Sequence, residues 1–166
     1  MPNDASADRY EFSFVGGRQN SYFFVTEHEV VYEIKFVPSG YLFESRPELV
    51  IQAFEMIISV VDKPITGRLP AGPLTATTIH TIFYDFFHSK EQVIVFVCDC
   101  SDGRHTARAR KFTSWFYTDI RPHMAKFDRA IPDGERIALI SIILHDQHPN
   151  LADVLDVFYE LDQDNK

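Results

Sequence analysis

Polar and apolar positions alternate one for one through much of the first third of the chain. In YEFSFV, Tyr10, Phe12 and Phe14 alternate with Glu11 and Ser13. Period two predicts a strand with one buried and one wet face. Gly16 and Gly17 in GGRQN supply a turn, because glycine tolerates positive φ. SYFFVT returns, TEHE turns again, and in VVYEIKFV the residues Tyr32, Ile34 and Phe36 alternate with Glu33 and Lys35. Three antiparallel strands are predicted.

The period then changes. Ser45 and Glu48 stand at capping-box spacing with Pro47 between them, a first-turn position that tolerates proline. Val50, Phe54, Ile57, Ile58 and Val61 follow at helical spacing, which predicts a helix. DKPITGRLPAGPL is broken by prolines and glycines and reads as a long loop at 62–74, of a length usually functional or mobile. It lacks the Gly-Lys-Ser/Thr end of a phosphate-binding loop. A second helix is predicted over Thr75 to His88. QVIVFVCDC is apolar on both faces, the mark of a central strand. A third helix is predicted over 104–118. HMAKFDRAI and RIALISIIL form a hairpin around Pro132, Asp133 and Gly134, and LADVLDVFYEL is a last helix capped by Asn150. The expected order is β-β-β-α-α-β-α-β-β-α. This is an α+β fold: a mainly antiparallel mixed sheet of about six strands with four helices. Residues 9–161 read as a single domain, 1–8 as a disordered tail and 162–166 as a frayed one.

Composition narrows the function classes. The chain has 166 residues, 45% of them hydrophobic, which suits one folded core. Its formal net charge is −8, which argues against a nucleic-acid partner, since phosphates need neutralising. The start shows no secretory pattern, and no apolar run approaches the ~18 residues of a membrane span. Cys98 and Cys100 are the only cysteines and stand too close along a strand to bridge easily. Reduced thiols fit a cytoplasmic protein.

One stretch breaks the acidic trend. CDCSDGRHTARARKFTSWF concentrates Arg104, Arg108, Arg110 and Lys111 behind Asp99 and Asp102. Alternation puts Asp99 on the strand face of Val93, Val95 and Val97, with Cys98 and Cys100 on the other. On the predicted helix, Arg104 and Arg108 share the stripe of Phe112, Trp115 and Phe116, while Arg110 lies opposite. An inward guanidinium needs a partner, because an unpaired buried charge costs several kcal/mol. Asp99 or Asp102 supplies one under a structural reading. Under a functional reading, Arg104 and Arg108 grip a phosphate or carboxylate at the helix start, with Mg²⁺ held by the aspartates.

The same residues carry a resemblance. The pattern of Asp99, Asp102, Gly103 and Arg104, continued by Arg108, Arg110, Phe112, Trp115 and Phe116, resembles a bacterial family of small proteins classed as a domain of unknown function. VVYEIKF resembles that family's N-terminal part, so the resemblance implies a match over most of the chain. It implies a bacterial origin and brings no activity.

Other candidates rank below. Cys98 and Cys100 with His105 lack the second cysteine pair of a zinc site, and Cys100 alone is weakly placed as a thiolate. His145, Asp146 and His148 in HDQH could ligate a metal or shuttle protons, although loop and cap chemistry is the commoner use. Sheet topology is expected to put HDQH at the end opposite Asp99. His80, Tyr84 and His88 read as a polar helix face. The favoured reading is a non-enzymatic binding or accessory module without a cofactor, acting through a protein partner, with self-association left open. Its alternative is a phosphate- or nucleotide-binding protein or enzyme using Asp99, Asp102, Arg104 and Arg108, with Mg²⁺.

Overall fold

The computed structural model describes residues 9–64, 74–98, 114, 116 and 121–161. In chain order the strands are β1 (Phe12–Gly16), β2 (Ser21–Val25), β3 (Val31–Pro38), β4 (Gln52–Asp62), β5 (Gln92–Cys98), β6 (Met124–Asp133) and β7 (Arg136–His145). The helices among the described residues are α1 (Thr75–Phe86) and α2 (Leu151–Glu160), and a 3-10 turn spans Gly40–Phe43. The fold is α+β, and the strands form a mixed, mainly antiparallel sheet in the order β1-β2-β3-β4-β5-β7-β6.

Two expectations are corrected. The sheet has seven strands instead of six, and two helices instead of four are found among the described residues. One cause is β4. The run Gln52–Asp62 was expected as a helix and is a strand of 11 residues. Its buried and half-buried residues fall on both faces, so no alternation shows, and apolar residues on both faces of a strand also satisfy i, i+3, i+4 spacing. Ile57, Ile58, Val60 and Val61 are β-branched and favour the extended chain. The capping box dissolves with the helix: Arg46 Nε donates to Glu48 Oε1 at 2.8 Å, and Arg46 Nη2 donates to Asp153 Oδ1 at 2.8 Å. The helix expected over 104–118 lies outside the described residues, except for Ser114 and Phe116, both helical. The two tails lie outside them as well, as does most of the proline-glycine loop.

Contacts group the chain into two compact units, Met1–Val37 with Met56–His88, and Pro38–Glu55 with Ser89–Lys166. The first is aromatic. Register places Phe12, Phe14, Tyr22, Phe24, Tyr32 and Ile34 on one face of β1–β2–β3. Tyr22, Phe24, Ile34 and Phe36 are buried there with Ile79, Ile82, Phe83 and Phe86 of α1. Phe36 stacks on Phe86 at 4.1 Å, a pair worth about 0.5–1.5 kcal/mol beyond the area it buries. Tyr22 Oη donates to Asp85 Oδ2 at 2.7 Å, and burial with that carboxylate holds the phenol well above its ordinary pKa. Gly16 and Gly17, at φ +76° and +77°, make the turn after β1 that the sequence anticipates.

The second unit is aliphatic. β5 pairs with β4 in parallel and with β7 antiparallel, and it is buried on both faces over Val93, Ile94 and Val95. Its predicted central place is confirmed. Val93, Val95, Ile140, Ile142 and Leu144 share a face, which α2 covers with Val154, Val157 and Phe158. Arg129 of β6 closes the far end of α2: its Nη1 donates to the Phe158 carbonyl at 2.7 Å, and its guanidinium lies 5.6 Å over the Tyr159 ring. A cation suits that helix end. Asn150 does occupy the N-cap position of α2, but its side chain makes no capping bond.

Candidate histidine–aspartate site

Asp99, Cys100, Asp102, Arg104 and Arg108 lie outside the described residues. His145, Asp146 and His148 lie within them, and the β6–β7 hairpin determines their surroundings. Asp133 pairs with Arg136, leaving Gly134 and Glu135 as a two-residue loop, and Gly134 takes φ +67°. Every later pair is then set, out to Met124 opposite His145. One step beyond the ladder, His123 meets Asp146.

Three side chains gather at this end. His123 Nδ1 lies 3.3 Å from Asp146 Oδ2, and the Asp146 N–H donates to the His123 carbonyl at 2.8 Å. The rings of His123 and His145 stack at 5.5 Å. His145 Nδ1 accepts the Gln147 N–H at 2.9 Å and lies 3.6 Å from Asp146 Oδ1. His123 sits at φ +68°, a left-handed conformation that costs a non-glycine residue about 1–2 kcal/mol. The hairpin ladder and the Asp146 bond hold it there.

His148 is separate. It is only 5% exposed, its Nδ1 accepts the Asn150 N–H at 2.9 Å, and its Nε2 lies 3.0 Å from the Glu91 carbonyl. An acceptor Nδ1 leaves the proton on Nε2, which therefore donates to Glu91. The ring is neutral, and burial pushes its pKa below the ordinary imidazole value. It ties the start of α2 to the segment before β5.

The structure thus gathers His145 and Asp146 with His123, which the sequence reading missed, and sends His148 elsewhere. The missing signal was arithmetic: a two-residue loop at Gly134–Glu135 already implies His123 opposite Asp146. Among the described residues, no group of three His, Cys, Asp or Glu side chains could hold a metal ion. Cys98 is buried. Its β7 partner is Leu139, whereas Val93 pairs with Leu144, so HDQH follows the strand end farthest from Cys98. The surface pair of His123 and Asp146 can hold or pass a proton. A small pocket of about 10 Å³ between β5, β7 and α2 is apolar and lies in the aliphatic core.

No described helix is long and apolar enough to cross a membrane. A family model described as "Family of unknown function (DUF6169)" matches residues 73–160, just over half of the chain. The match takes in α1, β5 to β7 and α2, and leaves out the N-terminal meander. No curated protein matches, and no solved structure does.

Proposed function

The chain belongs to that family of unknown function, and we propose that it is a binding module that takes an extended segment of a protein partner onto the edge of β1. One observation carries the reading. β1 is the first strand in the sheet order, and its residues Ser13, Phe14 and Val15 are exposed in succession, Phe14 by 57% and Val15 by 67%. FSFVG holds no charge and no proline. Edge strands are usually guarded by one or the other, because their free N–H and C=O groups template another strand. Apolar side chains on both faces of β1 offer the alternating contacts that such strand addition uses. The acidic balance of the chain favours a segment flanked by basic residues.

The test is selection of extended peptides on the full chain, followed by hydrogen exchange with the selected peptide bound. Protection at Ser13 to Val15, lost in Val15→Lys, supports the reading. Protection elsewhere, or binding untouched by Val15→Lys, sinks it. A phosphorylated ligand with Mg²⁺ that raises the unfolding midpoint of the natural chain but not of Arg108→Ala would favour the anion site instead.

A further inference from the structure

HDQH contains a device that the binding reading does not use. Within four residues, two imidazoles accept the backbone N–H two positions ahead: His145 Nδ1 from Gln147, and His148 Nδ1 from Asn150, each at 2.9 Å. An asparagine or aspartate oxygen fills this role in ordinary turns, where it does not change with pH near neutrality. An imidazole accepts only while neutral, and both nitrogens become donors once it is protonated.

We propose that the β7–α2 turn is a proton-operated hinge, closed while His145 and His148 are neutral and opened when protons on their Nδ1 atoms displace the Gln147 and Asn150 amides. The second arrangement is already within reach. Asp146 Oδ1 lies 3.6 Å from His145 Nδ1, so a protonated ring exchanges an amide donor for a carboxylate acceptor. Opening at His148 strips the first turn of α2 of its tie to Glu91. The charged groups around the turn are Glu91, which acts on His148 and is held by Ser89 Oγ; Lys90 beside it; Asp146, shared by His123 and His145; and Asp153, engaged by Arg46. Glu91 favours the proton on His148 and burial opposes it, with burial the larger effect. The folded state therefore prefers the neutral ring. At His148 the closed turn is fully stable above the ordinary imidazole pKa and is lost as pH falls through the lowered one.

Amide hydrogen exchange on the full chain at about pH 7.5 and about pH 5, normalised to intrinsic rates, tests this. Protection of Gln147 and Asn150 should fall about tenfold or more on acidification, while Ile142 and Ile143 keep theirs. In the double variant His145→Asn, His148→Asn the amide oxygens still accept, and the pH response should vanish. Equal protection at both pH values in the natural chain overturns the proposal, as does an acid loss that survives in the variant. Imidazole ¹⁵N shifts of the natural chain give a reading that needs no variant: a proton on Nδ1 of either ring at neutral pH also overturns it.

Discussion

The two edge strands of the sheet are built to opposite rules. β6 is ten residues long and carries Lys126, Asp128, Arg129 and Pro132. Lys126 Nζ pairs with Asp128 Oδ1, which also accepts from Ser141 Oγ, and Arg129 is spent on the end of α2. Charge and proline are the ordinary guards of an edge. β1 is five residues long, has neither, and shows aromatic and aliphatic side chains to solvent. Among the described residues nothing of that kind guards β1, and this contrast is the ground on which β1 is proposed as a surface for a partner.

That contrast can be broken at several depths. Phe36→Ala, on the meander's buried face, should cost about 3–5 kcal/mol in denaturant unfolding, since it empties a stacked site. A much smaller loss would mean that the meander is not a packed support for β1. Arg129→Met should cost roughly 1.5 kcal/mol, because it removes a charged donor from the α2 carboxyl end. If stability does not change, β6 is guarded by charge alone and not by a structural task. Phe14→Ala should cost about 1 kcal/mol, the ring pair with Tyr22 at 4.7 Å. Val15→Lys should stay within about 0.5 kcal/mol of the natural chain and still block strand addition. If Val15→Lys unfolds the protein, the exposed edge is structural and the comparison fails.

Much of this architecture was readable from the chain. β1, β2 and β3 showed themselves by strict alternation, and β5 by an apolar run on both faces. β4 failed for the reason that β5 succeeded. A strand with no wet face has no period two, and only length and β-branching separate it from a buried helix. The sequence carried that signal at Ile57, Ile58, Val60 and Val61, against a spurious capping box at Ser45 and Glu48. The site was less legible. Its partners are set by pairing at a distance: Asp146 finds His123 across 23 residues, and Arg46 finds Asp153 across 107. Only the first could have been counted from a hairpin loop. His148 looked like a chemist's histidine in the sequence, yet burial and two backbone bonds make it a strut.

The place of β5 has a consequence for the ribosome. β5 pairs with β4 on one side and β7 on the other, but β7 is synthesised only after β6. At roughly 5–20 residues per second, the interval from Cys98 to His145 lasts about 2–10 s. Through that interval a nascent strand of Val, Ile and Phe lacks the strand that pairs with one of its sides in the finished sheet. The hairpin that will cover it is local, closes through two residues, and should zip within about 10 μs once made. Translation, not folding, is then the slow step, and the chain is most open to aggregation and to chaperone capture just before β6 and β7 emerge.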